Sequence, residues 1–363
     1  MNLASPRLPA ALLAVALAAL APARAEAAMF CVATGGQLQN ALSMAEANGV
    51  DDEIRIRSGT LMRDIPMASG FMFLYSSNLA QDLDISGGWN ANCTQRTHDP
   101  RLTVLSGAGL GQVLGLGHYG AGGTGTIRLR NLSLRNGRGT SSGYGTGLQV
   151  TAWEGANGAA ELEHLLIQLN DNHAPVSTGH ALRLMDSSGG RLDVTLRNVQ
   201  VDGNRNSGLI VDSANATSVY RISQSTVTAN LIVNQGFAAV EVYGPGFLWV
   251  ANNVFAGNGV ATDLSIGNAP SHLRNNHVGG IVGSPGSNQG MTSGDPRLVA
   301  DGVWWRPGVG SPLRDTGIAT PNGGTGSLDI AGNPRVRGPA VDRGAFEAAP
   351  DLDTIWRNGF QAN

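Results

Sequence analysis

Two hydrophobic periods follow one another along the chain. Thr34-Gly35-Gly36-Gln37 has the form of a helix N-cap with an amide three positions on, and Leu38, Ala41, Leu42 and Ala45 then share one face of a 3.6-residue period. Asn48-Gly49 supplies the stop, which predicts one short amphipathic helix. Beyond it the period drops to two: Ile54 and Ile56 alternate with Arg55 and Arg57, and Leu83 and Ile85 flank Asp84. Short strands between glycine turns are expected from there on.

The middle of the chain repeats with loose spacing. One strand type reads Gly147-Leu148-Gln149-Val150, Ala181-Leu182-Arg183-Leu184, Gly208-Leu209-Ile210-Val211, Ala239-Val240-Glu241-Val242 and Asp263-Leu264-Ser265-Ile266. Its central aliphatics, Leu148, Leu182, Leu209, Val240 and Leu264, lie 34, 27, 31 and 24 residues apart. Ahead of these, a second motif sets a polar residue between two apolar strands: Leu129-Arg130-Asn131-Leu132, Leu196-Arg197-Asn198-Val199 and Val250-Ala251-Asn252-Asn253-Val254. His164, Gln224 or Ser225, and Asn275 or Asn276 take the equivalent slot in other repeats.

A repeat of this length with three short strands and no helix predicts an all-β parallel β-helix, a solenoid whose coils bury their faces only against one another. Asparagine suits a sharp bend because it tolerates left-handed backbone angles. Stacked amides at Asn131 and Asn198 are expected to form a structural ladder from coil to coil. The predicted organisation is a capping segment at 29–50, the β-helix at 51–290, an irregular C-terminal cap at 291–350 and a tail at 351–363.

Composition sharpens this picture. The 51 glycines suit many tight corners, and charged residues are only 14% of the chain. All 24 basic residues are arginine, which excludes Schiff-base chemistry, a phosphate-loop lysine and a lysine base. Arg7, the apolar stretch Leu8 to Ala21 and the small residues Ala23, Ala25, Ala27 and Ala28 predict a signal peptide at 1–25, with cleavage after Ala28 as the alternative. Loss of Arg7 and Arg24 takes the formal charge from −3 to −5, a balance that does not favour nucleic acid. No later stretch is long and apolar enough to span a membrane, so an exported chain, secreted, periplasmic or at a bacterial surface, is expected. In that setting Cys31 and Cys93 are expected to form a disulfide.

Strand–Asn–strand coils behind an N-terminal helix resemble the right-handed parallel β-helix of the pectate-lyase-like superfamily over roughly residues 50–290. The C-terminal motifs resemble bacterial choice-of-anchor Q domain proteins: Asp295-Pro296-Arg297-Leu298, Gly310 to Gly317, Asp329 to Arg335, and Val341-Asp342-Arg343-Gly344-Ala345-Phe346-Glu347. That resemblance implies export rather than a particular reaction. Ile355 to Phe360 looks like a short Gly-Phe tail of exported bacterial proteins.

Candidate chemistry lies on the outward positions between buried aliphatics. One row reads Gln149, Arg183, Ile210, Glu241 and Ser265, and the next Thr151, Met185, Asp212, Tyr243 and Gly267. Coils stack at about 4.8 Å, so Asp212 and Glu241 on neighbouring coils have the spacing of a glycosidase carboxylate pair. Arg183 is the candidate base of a lyase. The Gly-His-Gly and Arg-Ile-Lys segments of polygalacturonase-like enzymes are absent. Asp171, His173, Asp202 and Arg205 fall in turns leading into this sheet, where a groove wall would stand; Asp171, His173 and Arg205 are binding candidates there, with turn formation the plainer role. Trp153, Tyr243 and Trp249 are candidates for stacking on sugar rings, while Trp304 and Trp305 are expected to cover the last coil.

Asp295, Asp315, Asp329, Asp342 and Glu347 lack the spacing of a calcium loop, so no cofactor is expected, with calcium as the alternative. The sequence thus favours a noncatalytic surface or extracellular scaffold binding polysaccharide or an envelope partner. A lyase or hydrolase acting on uronic-acid polymers is the alternative, and a structural adhesin without a small-ligand site is a third reading.

Overall fold

The structure, a computed structural model, describes residues 27–139, 145–172, 179–205, 207–233 and 237–350. The expected signal peptide, His173 and the tail at 351–363 lie outside them.

The chain winds as a parallel β-helix. A 15-stranded sheet and an 8-stranded sheet run the length of the described solenoid, and successive coils pair in parallel within each. Ile54, Ile85, Leu129, Leu162, Leu196, Ile222, Val250 and Leu273 form one inward row of the large sheet, all buried. Phe73, Leu114, Leu148, Leu182, Leu209, Val240 and Leu264 form its counterpart on the smaller sheet. Each such side chain contributes roughly 1.5–3 kcal/mol of burial, and only the neighbouring coil completes that burial.

The helix Gly35–Asn48 stands at the first end. Thr34 Oγ1 accepts from Gln37 N–H at 3.2 Å, and Gly49 closes the helix at φ 72°. Leu38, Ala41, Leu42 and Ala45 are buried as expected. Gln39 bonds both backbone groups of Leu74, its Oε1 accepting the N–H at 2.9 Å and its Nε2 reaching the carbonyl at 3.0 Å. The side-chain amide thereby blunts the edge strand Phe71–Ser77. The Cys31–Cys93 disulfide is formed, with Cα atoms 5.8 Å apart.

The large sheet turns a corner within the strands Thr124–Arg135, Asn157–Gln168 and Arg191–Asp202 and between the shorter strands of the coils that follow. Asn131, His164, Asn198, Gln224, Asn252 and Asn275 occupy the bend with φ between 51° and 60°. The expected amide ladder is not formed by these residues, because a left-handed residue at this corner turns its side chain outward. Asn131 Nδ2 donates to the carbonyls of Gly87 and Thr97, and Asn198 Nδ2 to those of Thr325 and Leu328.

The inward amides belong to the residue after a left-handed one. At the second corner of four successive coils Leu169, Gly203, Ala229 and Gly257 have positive φ, and Asn170, Asn204, Asn230 and Asn258 follow them. Asn170 Nδ2 donates to Asn204 Oδ1 at 3.0 Å, Asn204 to Asn230 at 2.9 Å and Asn230 to Asn258 at 2.9 Å. Asn253 and Asn276 make the same contact one residue after the midway corner.

The irregular C-terminal segment packs along the flank of the solenoid, over the strand halves that follow the midway corner. Leu166, Gln200, Thr226, Val254 and His277 point outward there yet are buried beneath it. Trp304, Ile330 and Ala345 pack on Leu166, and Leu313 packs on Val254. Trp304 and Trp305 therefore do not cover the last coil: Trp305 N–H donates to Gln200 Oε1 at 3.1 Å, and Arg101 lies 5.0 Å over the Trp304 ring.

Candidate functional site

The smaller sheet presents the two outward rows in the order read from the sequence. Gln149, Arg183, Ile210, Glu241 and Ser265 are in register, as are Thr151, Met185, Asp212 and Tyr243. Arg183 Nη2 donates to Asp212 Oδ2 at 2.7 Å, a diagonal contact between neighbouring coils. The pair neutralises itself, with Arg183 mostly covered and Asp212 more open.

Glu241 is only 1% exposed despite its outward position. Tyr243 OH donates to its Oε2 at 2.6 Å. Ser207 Oγ lies 2.7 Å from Glu241 Oε1 and 2.6 Å from the carbonyl of Ala238. One hydroxyl proton cannot serve two acceptors well, and a protonated Glu241 donating to Ser207 satisfies all three groups. Burial likewise pushes the Glu241 carboxyl above its ordinary range. The structure thus holds Glu241 as a buried, hydrogen-bonded group, and each member of the expected carboxylate pair has its own partner.

His180 sits on the same sheet, in register with Ser207. Its imidazole is buried and pushed down to about 3, chiefly by desolvation and secondarily by Arg183, so it is neutral at physiological pH.

At the far end of the strands Trp153 stacks on Tyr119 with ring centroids 5.9 Å apart. Its six-membered ring lies back over Gly117, where a Cβ would come within 2.8 Å of it. Tyr243 is 42% exposed and stands two coils beyond Met185 in the same row. Asp171 and Arg205 are not in turns: Asp171 lies in the short strand Asp171–Asn172 and bridges Arg205 in parallel, with their side chains 3.8 Å apart. Asp202 is instead buried under the C-terminal segment, accepting from Gln168, Gln200 and Trp305.

The C-terminal carboxylates bind backbone N–H groups. Asp295 accepts from Arg297, Asp329 from Ala331 and Asn333, and Glu347 from Asp342. Among the described residues, no cluster of three or more metal-ligating side chains is present. Trp249 lies on the other flank, on the large sheet, stacked on His272 with centroids 4.4 Å apart. His272 was invisible to sequence reasoning because its row has no regular composition; only its register with Trp249 marks it. No family model, curated protein or solved structure matches the chain.

Proposed function

We propose that the mature chain is an exported, noncatalytic β-helix scaffold that binds polysaccharide along the outer face of its smaller sheet. The observation that carries this reading is the commitment of Arg183 to Asp212 and the burial of Glu241 under Tyr243. A general acid and base need access to substrate, and these groups are engaged with one another or covered. What the face offers instead is the exposed ring of Tyr243 and the half-buried ring of Trp153, with Gln149, Asp212 and Ser265 half-buried in the same two rows, which suits stacking and peripheral hydrogen bonds to sugars. Export rests on the N-terminal leader pattern, and the likeness to choice-of-anchor Q proteins rests on the four C-terminal motifs.

The test is retention of the mature protein on immobilised neutral and acidic polysaccharides. Retention weakened by Trp153→Ala and Tyr243→Ala, with no new reducing ends or unsaturated products, is the expected outcome. Failure to bind any polymer, or turnover abolished by Arg183→Ala, would overturn it.

A further inference from the structure

A groove runs along the opposite flank, where the large sheet meets the C-terminal segment. Its floor is one outward row on successive coils: Glu161, Thr195, Arg221, Trp249, His272 and Ser287. Five strand steps of about 4.8 Å give a floor of about 24 Å. The row contains a hollow of about 300 Å³ at Glu161, Thr195 and Gly323 and one of about 390 Å³ at Trp249, His272, Ile318 and Asn322.

The wall is held firmly. Ile318 is bonded through both backbone groups to Asn252, Gly323 O accepts from Arg197 Nη1 at 3.1 Å, and Gly324 O accepts from Ser223 Oγ at 2.8 Å.

The larger hollow combines an aromatic platform with free polar groups. Phe247, Trp249 and His272 pack together, and the stack ends at His272 because Ser287 takes the next position in the row. Ser287 Oγ fixes the imidazole through Nδ1 at 2.6 Å. Arg274 and Gln289 line the same hollow. Elsewhere on this sheet Arg55, Arg128, Arg130, Arg191 and Arg197 each pair with a carboxylate. Arg221 and Arg274 have no such partner among the described residues. An aromatic ring face bordered by hydrogen-bond donors matches the two-sided chemistry of a sugar ring, and an unpaired guanidinium adds a seat for an anion.

We propose that this groove is a separate oligosaccharide site, in which one ring lies against His272 and places an anionic substituent at Arg274. The site stands apart from the smaller sheet and does not depend on that face binding anything. Calorimetric titration of the mature protein with neutral, carboxylated and sulfated oligosaccharides of equal length tests it. Saturable binding about tenfold tighter for an anionic ligand than for the neutral one is expected, the carboxylated and sulfated arms naming the anion.

His272→Ala and Arg274→Gln should each weaken that binding about fivefold or more with unchanged circular dichroism and melting. Trp153→Ala and Tyr243→Ala should leave it intact. Absence of saturable binding, preference for the neutral ligand, or binding untouched by both groove variants overturns the proposal. Binding lost only in the Trp153 and Tyr243 variants overturns it too, while upholding the smaller sheet as the glycan surface.

Discussion

The Asn252 side-chain amide is bonded in both directions to the backbone of Ile318, donating to its carbonyl and accepting from its N–H at 2.8 Å each. Asn252 itself has φ 58°, so one residue both turns the coil and fastens the C-terminal segment.

Two substitutions separate those roles. Asn252→Gly keeps the left-handed backbone free of strain but loses both bonds, and should cost about 2–3 kcal/mol. Asn252→Ala adds a left-handed Cβ and should cost about 1 kcal/mol more. Urea unfolding midpoints measure both, and equal losses would show that the backbone angle carries no strain at this corner.

The inward ladder predicts a larger loss at its centre. Asn204 donates to Asn230 and Ile167 and accepts from Asn170, all in the buried interior. Asn204→Ala leaves buried donors and acceptors on both neighbours, with an expected cost of about 3–4 kcal/mol in chemical denaturation. Asn48→Ala, whose amide bonds Asp52 near the surface, should cost about 1 kcal/mol or less.

Glu241→Gln tests the upward shift of the buried Glu241 carboxyl. The amide can donate to Ser207 and accept from Tyr243, reproducing the contacts of the protonated acid. A folded-state pKa raised above the unfolded value means that stability is lost as pH rises toward the folded pKa. The glutamine variant should therefore match the wild type at low pH and exceed it at high pH in thermal melts. Glu241→Ala should be less stable than both throughout.

Arg335 and Glu347 give a second pH signature. Fully buried Arg335 donates to Gln224 Oε1 and to the carbonyl of Ala345, with Glu347 at 3.9 Å. Burial, reinforced by Asp342, pushes Glu347 up to about 7 from 4.5. The folded state holds this proton where the unfolded chain has released it, so stability falls between about pH 4.5 and pH 7, by roughly 3 kcal/mol from this group. Glu347→Gln should flatten that slope in denaturation curves taken across the range.

Reduction of Cys31–Cys93, 62 residues apart, should lower stability by about 4 kcal/mol if loop entropy dominates. Melting with and without reductant reads this directly.

Much of the coil was legible because its code is local. The period of two assigned the inward and outward rows, and aligned Gln149, Arg183, Ile210 and Glu241 as they stand in the sheet. Asn131 and Asn198 stand at bends as expected, since asparagine tolerates left-handed angles, although His164 and Gln224 adopt them at the same corner. Where their amides point was not legible: the partners Thr325 and Leu328 lie 127 and 130 residues beyond Asn198. The real ladder did leave a signal in the recurrence of Asn170, Asn204, Asn230 and Asn258 just after a left-handed residue. Burial of Glu241 was hidden because alternation assigns a face of the sheet, and coverage by neighbouring side chains decides solvent contact.

A solenoid held only by neighbour contacts can melt from either end. Here the last described residues reach across the coils, from Arg101 against Trp304 to Asn276 and Thr292 against Arg343. Frayed intermediates that keep half the coils would forfeit those long-range contacts all at once, so unfolding should be cooperative across the molecule. During synthesis the segment that carries Trp304, Ile330 and Ala345 follows the coils it covers, so nascent coils wait with one flank bare until it leaves the ribosome.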